Sequence, residues 1–265
     1  MPLKLTEKHL ADLFEKPNRW QQTKDAFWSA LKFFTNFVFF FFLFFLLINF
    51  PAYWKKISFN ILGQEKYSQK LSDEDKKIIE PIKKTPIQPA QTDNQAPILT
   101  AQNLPQNRLV IPKIKVNASI EWQTTPENIL EKIKNGVAHY ADTQLPGENG
   151  NVFVTGHSSN FWWDDGKYKE IFALLDKMEI GDKIYITYEK ILYTYEVENK
   201  KIVAPTQIEV LNPTDHSILS LMTCYPVGTT INRLVIQAKQ IAPVPKGALE
   251  KTNTSDKTKY LPVIR

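Results

Sequence analysis

Hydrophobic and polar positions divide the chain into three unlike stretches. Residues 33–50 (FFTNFVFFFFLFFLLINF) form an apolar run that holds ten of the sixteen phenylalanines and no charged residue. As a helix, these eighteen residues rise roughly 27 Å, and continuing to Trp54 gives roughly 33 Å, enough to cross the hydrocarbon of a bilayer. Trp28 before the run, and Tyr53 and Trp54 after it, suit interfacial positions, and Thr35 and Asn36 interrupt it only near its start. The competing reading is a very apolar core helix. A cleaved signal is disfavoured, because thirty-two residues precede the run and the sequence after it, INFPAYWKK, offers no small-residue cleavage site. Residues 68–84 are charged and part-helical in pattern. Residues 85–107 then carry Pro86, Pro89, Pro97 and Pro105 among Gln, Asn and Thr, a composition that cannot bury a core.

From Arg108 onward the apolar segments become short and β-branched. RLVIPKI (108–114), ASIEW (118–122), NVFVTG (151–156), KIYITY (183–188), ILYTYEV (191–197), KIVAP (201–205), SILSLMTC (217–224) and RLVIQAKQI (233–241) read as strands. Tyr188-Glu189-Lys190-Ile191 reads as a tight hairpin. Two stretches read as helices, 126–134 with Thr125 as N-cap and 168–177. Eight closely spaced strands point to a mainly β fold, a closed or sandwiched sheet rather than βαβ units. The predicted division is an N-terminal segment (1–32), a transmembrane anchor (33–54), a flexible stalk and linker (55–106), a β domain (107–242) and a polar tail (243–265).

The formal charge of +5 invites a nucleic-acid reading, but its location removes it. Between residues 107 and 241 there are 14 Lys and Arg against 16 Asp and Glu, a balance of −2, while the flanks hold 19 against 12, a balance of +7. The β domain is mildly acidic, so nucleic-acid binding is disfavoured. Around the apolar run, Lys16, Arg19, Lys24 and Lys32 on one side match Lys55, Lys56, Lys66 and Lys70 on the other, so charge alone does not orient it. One cysteine excludes an internal disulfide, and four histidines without short ligand spacing predict no metal. Asp164 and Asp165 are adjacent carboxylates without further oxygen ligands at loop spacing, weak grounds for calcium.

Three residues can carry chemistry. His157 follows a strand in TGHSS, Cys224 ends the strand SILSLMTC, and Arg233 opens the next strand. Antiparallel neighbours would bring Cys224 and Arg233 to one rim. There a nearby cation favours the thiolate, an imidazole can protonate a leaving amine, and a guanidinium can donate to a carbonyl oxygen as charge develops on it. Each has a plainer reading: a small buried hydrophobe for the cysteine, a structural histidine, and a surface ion pair for the arginine.

Taken in order, these residues and their surroundings resemble the sortases, membrane-anchored cysteine transpeptidases of bacterial surfaces. Ser220-Leu221-Met222-Thr223-Cys224 is similar to the family's T-L-x-T-C, with serine replacing the first threonine. Arg233-Leu234-Val235 resembles its R-[LI]-V strand, and Gly156-His157 its G-H. GVAHYADTQLPGENGN (136–151) resembles the family sequence G-V-x-H-Y, L-P-G, G-N, and RLVIPKI its first strand.

The resemblance implies an eight-stranded β-barrel with Cys224 as nucleophile, His157 as general acid/base, Arg233 as oxyanion and substrate-positioning donor, and Thr223 shaping the site. Trp162, within Phe161-Trp162-Trp163, is a candidate for the substrate groove. His139 reads as structural, and His216 as a turn residue and the second choice of base. The implied partners are proteins with C-terminal LPXTG-like sorting signals and an amine acceptor, a peptidoglycan precursor or another protein, with no cofactor. Such substrates meet the enzyme outside the membrane, which would put the N-terminus inside. No D-P-W or D-P-F lid motif occurs in the linker, which leans toward attachment to a cell-wall amine over pilus polymerisation. Two rival readings remain. For a tethered cysteine peptidase, the order His157 before Cys224 argues against a papain-like enzyme, and the caspase Q-A-C-x-G signature is absent. The other rival is an inactive surface-binding barrel.

Overall fold

The computed structural model of the protein describes residues 19–69, 105–161 and 163–243, and the chain divides into two units between Ile48 and Asn49. The first unit contains helix α1, Arg19–Ile48. Its Gln22–Ile48 portion is long and apolar enough to cross a membrane. Phe33, Phe37 and Phe41 stack along one side at i,i+4 spacing, with ring centroids 6.5 and 6.4 Å apart. The Thr35 hydroxyl donates to the Leu31 carbonyl at 2.9 Å, which pairs it within the helix.

The second unit opens with helix α2, Phe50–Gln69, in which Gly63 (φ 71°) interrupts the helical geometry. The helix boundary at Asn49 therefore falls inside the span 33–54, and residues 55–63, assigned from sequence to the stalk, belong to a helix that packs on the β domain through Ala52 and Phe59. Residues 70–104 and those beyond Pro243 lie outside the described residues.

Eight strands follow: β1 (Arg108–Ile111), β2 (Val116–Thr124), β3 (Val137–Tyr140), β4 (Gly150–Thr155), β5 (Lys183–Tyr188), β6 (Ile191–Val203), β7 (Ser217–Tyr225) and β8 (Asn232–Ala242). They close into a barrel in the order β1-β2-β3-β4-β7-β8-β6-β5. The pairs β2/β3 and β4/β7 are parallel and the others antiparallel. Glu189 and Lys190, both at positive φ (49° and 62°), form the two-residue turn between β5 and β6.

Alternation along the strands builds two cores. Val152 and Val154 of β4, Leu219 and Leu221 of β7, and Leu234 and Ile236 of β8 fill the barrel interior. Phe153, Met222 and Val235 belong to a second cluster on the outer face, covered by Ile129 of the short helix α3 (Ile129–Lys132), by Ile133 at its C-cap, and by Val210 and Leu211 of a 3-10 turn, Ile208–Leu211. Asn151 holds that turn in place by donating from Nδ2 to the Val210 carbonyl at 2.7 Å. Strands β4 and β7 are thus buried on both faces, as parallel strands usually are.

Several expected elements change. The predicted strands 191–197 and 201–205 are one strand, β6, and β3 was not among the predicted strands. The predicted helix 126–134 shrinks to α3, with Asn128 rather than Thr125 at its N-cap. The predicted helix 168–177 is a run of turns ending in a 3-10 turn, Leu175–Lys177. The cause is local: the Phe172 amide donates to the His157 carbonyl at 2.8 Å instead of to its own chain four residues back.

Gly136, which leads into β3, has no room for a side chain. A Cβ there would lie 2.3 Å from the Ser119 carbonyl oxygen on β2. Gly136→Ala is expected to cost about 3 kcal/mol by forcing β3 off β2 and to lower the melting temperature by roughly 10 °C. Gly181→Ala, where nothing lies within 4 Å but φ is +91°, is the comparison for backbone strain alone and should cost about 1 kcal/mol. Equal melting temperatures for the two variants would contradict the steric argument.

Candidate active site

Three chain segments meet at one end of β7. In the β7/β8 ladder, Cys224 pairs directly with Arg233. Directly opposed residues of antiparallel strands project from the same face with Cβ atoms about 5 Å apart. Both side chains therefore belong to the outer face, and Cys224 sits in the cluster with Met222, Tyr140 and Val235. On the other side of β7, the parallel ladder with β4 runs to Thr155 opposite Met222, and the Gly156 amide continues it by donating to the Met222 carbonyl at 3.2 Å. Carried two residues further, the same register brings His157 level with Cys224.

The surrounding contacts hold these three residues in place. The Thr223 hydroxyl donates to the Gly156 carbonyl at 2.8 Å, fixing the backbone one residue before His157. A Cβ at Gly156 would come within 3.0 Å of the Phe172 ring, so the chain leaves β4 through a narrow passage. Arg233 Nη1 donates to the carbonyls of Thr230 (3.0 Å) and Asn232 (3.1 Å), which fixes the guanidinium at the entry to β8. Ser159 and Gly228 received no role from sequence. The Gly228 amide donates to Ser159 Oγ at 3.0 Å, tying the loop after His157 to the loop after Cys224. No motif marks Ser159, because its contact is with a backbone amide 69 residues away.

Cys224 is 0%, Arg233 1% and His157 4% exposed. Phe161 and Trp163 stack with centroids 4.5 Å apart, while Trp162 lies outside the described residues. The Gly166 amide holds the Asp164 carboxyl below the usual carboxylate range, with lesser help from Asn160, Lys134 and His157. Among the described residues, no three His, Cys, Asp or Glu side chains gather as metal ligands.

The other two described histidines separate cleanly from this site. His216 lies just before β7, eight residues from Cys224 along an extended chain, or about 26 Å. It contacts Asp215 at 2.6 Å and is not part of this cluster. His139 is fully buried: Nδ1 accepts from the Gln123 amide at 3.3 Å, and Nε2 lies 2.9 Å from the Gln144 carbonyl. Desolvation lowers its pKa from 6.5 to about 4, so it is neutral near pH 7. Protonation then favours the unfolded chain. Its contribution to stability is complete above pH 6.5 and is lost as pH falls toward 4, by up to about 3 kcal/mol. Melting temperature recorded against pH should show this acid-side slope, and His139→Gln should flatten it even if less stable at pH 7. An unchanged slope would count against a buried neutral His139.

A family model described as the sortase domain matches residues 109–241, just over half of the 265 residues. The chain belongs to the sortase family. Sortases are cysteine transpeptidases, and the matched segment contains His157, Cys224 and Arg233. Sortase D of Bacillus subtilis (strain 168) is 29% identical over 155 residues, covering 57% of this chain and 71% of that protein. Sortase A of Listeria monocytogenes is 29% identical over 157 residues, 58% of this chain and 62% of the relative. Among solved structures, the sortase D5 transpeptidase of Clostridium perfringens is similar at 26% identity and a TM-score of 0.44, over 67% of this chain and 95% of that one.

Proposed function

We propose that this sortase cleaves an LPXTG-like signal near the C-terminus of a protein substrate and joins the new carboxyl end to an amine, with Cys224 as nucleophile. The direct pairing of Cys224 with Arg233, beside the β4 exit that carries His157, supports the reading. The Cys224 thiolate attacks the threonine carbonyl, and Arg233 donates to the oxygen as it becomes negative. The threonine–glycine bond breaks, and the departing glycine amine takes a proton from His157, leaving a thioester on Cys224. A second amine attacks the thioester and gives its proton to His157, and the thiolate leaves. Thr223 positions the His157 segment, and Trp162 is the aromatic residue assigned to substrate binding. The acceptor is an amine of a peptidoglycan precursor or of another protein, and attachment to a cell-wall amine is favoured over polymerisation. Both substrates lie outside the membrane, so the N-terminus is cytoplasmic and the barrel extracytoplasmic.

Intact-mass spectrometry of the protein with a pool of LPXTG-like peptides, with and without an added amine, tests this reading. The expected result is a peptide adduct that the amine converts to ligated peptide. Cleavage without ligation would point to a peptidase, and no adduct with any peptide to a binding barrel.

A further inference from the structure

Helix α2 is apolar on two opposite faces. One is docked: Ala52 is buried with Ala173 and Val227, and Phe59 enters the barrel core. Beside them Lys56 reaches Asp176 at 2.9 Å and Lys55 reaches Glu170 at 3.4 Å. The other face carries Phe50, Trp54, Ile57 and Ile61, which are 54%, 55%, 45% and 76% exposed. At 3.6 residues per turn these four fall in one narrow stripe, on the side of the helix away from Ala52 and Phe59. The Phe50 and Trp54 rings stack within the stripe at 5.9 Å. A helix packed on a water-soluble barrel normally turns charged and polar residues outward. Here the outward stripe is made of large apolar and aromatic side chains, and among the described residues nothing covers it.

Chain continuity indicates what does. The segment Gln22–Ile48, long and apolar enough to cross a membrane, ends two residues before α2 begins. Residues that follow such a segment directly start at the level of the lipid headgroups, where Trp and other amphipathic rings concentrate. We propose that the Phe50–Trp54–Ile57–Ile61 face of α2 lies in the bilayer interface, so that α2 rests on the membrane as the seat of the barrel. A helix lying this way sinks its apolar face about 5–10 Å into the headgroup and acyl boundary. Lys55 and Lys56 are engaged by carboxylates of the barrel, so apolar and aromatic surface carries the contact, and it forms on uncharged lipid.

This seat fixes where the Cys224 rim works. The docked side of α2 touches the loop that follows Cys224: Val227 packs on Ala52, the Lys56 ammonium lies 6.0 Å from the Tyr225 ring centre, and a Cβ at Gly228 would meet Asn49 Oδ1 at 2.8 Å. Only the thickness of one helix, about 10 Å, separates that loop from the lipid-facing stripe. The rim therefore operates at the membrane surface, on groups presented within reach of the headgroups. That consequence rests on the proposed role of Cys224, whereas the lipid contact does not.

The test uses the full chain with Cys224→Ala, so that each added cysteine is the only thiol. Trp54→Cys, Ile57→Cys and Ile61→Cys, with Asp215→Cys at the far end of β7 as comparison, are labelled with bimane and reconstituted in phosphatidylcholine vesicles. Nitroxide lipids carrying the label near the headgroup should quench positions 54, 57 and 61 severalfold more than position 215, and aqueous iodide should do the reverse. Iodide quenching at the three positions equal to that at 215 overturns the proposal. Protection from both quenchers overturns it too, because a segment of the chain would then be covering the stripe. Each labelled variant must melt like its parent, and the readout needs no catalysis, so a failed lipid contact and a failed transpeptidase reading are told apart.

Discussion

Alanine at Cys224 is expected to leave a folded barrel that forms no peptide adduct and joins nothing. In the proposed chemistry every bond change passes through this sulfur, so transfer should fall by about 10⁵-fold or more. The structural cost should be small. The side chain is buried in the outer cluster with Met222, Tyr140 and Val235, and removing one sulfur from it costs about 1 kcal/mol. Alanine is a better control than serine, because serine would bury a hydroxyl in that apolar cluster. Two measurements decide the outcome, intact mass after incubation with the peptide pool and the melting temperature. An adduct on the variant would remove Cys224 from the mechanism. Loss of both folding and activity would leave Arg233 as the more informative position.

Arg233→Lys should reduce kcat/KM for a sorting peptide by about 10²-fold, an effect of the size seen when one oxyanion donor is removed. Lysine keeps the charge, but its ammonium is a point donor without the planar fork. It cannot both contact the Thr230 and Asn232 carbonyls and direct a second donor at a carbonyl oxygen beside Cys224. Arg233→Ala should lose more, with a cost in stability, because a fully buried side chain leaves a cavity and strands those carbonyls. Steady-state kinetics of the lysine variant, at a melting temperature close to that of the parent, separates the two effects. Parent-like kinetics in Arg233→Lys would reduce Arg233 to a structural residue.

The sequence was most legible where a run of six or more residues rich in β-branched side chains carries the signal. The strands 183–188, 217–224 and 233–241 emerged within a residue or two of their observed bounds, because β-branched runs there end in turn residues. Strand β3 was illegible because it is only four residues long, Val137–Tyr140, and holds a single β-branched residue, too little for a strand pattern to stand out. Strand β6 looked like two strands because Glu198, Asn199 and Lys200 face solvent between its buried ends, and the ladder to β8 shifts register there. The 168–177 stretch has helical apolar spacing, yet its amides answer to His157 and to neighbouring turns.

At the site, the pairing of Cys224 with Arg233 followed from a short loop between adjacent strands. The placement of His157 did not. It depends on β4 lying parallel beside β7, a neighbour relation that local pattern cannot specify and only the ordered resemblance to a family suggested. The docked face of α2 was likewise hidden, since Ala52 read as the end of a membrane span and Phe59 as part of the stalk.

The ring order has a consequence for how the molecule comes into being. Strand β8 is the last of the described strands, yet it sits between β7 and β6 and completes the circle. A growing chain that has made everything up to Thr230 owns Cys224 and His157 but has an open wall and lacks Arg233. Because β4 and β7 must also find each other across more than sixty residues, closure is a late and slow event. Synthesis therefore delivers the barrel's last hydrogen-bonded wall and the guanidinium opposite Cys224 together, and a chain stopped before Asn232 has neither.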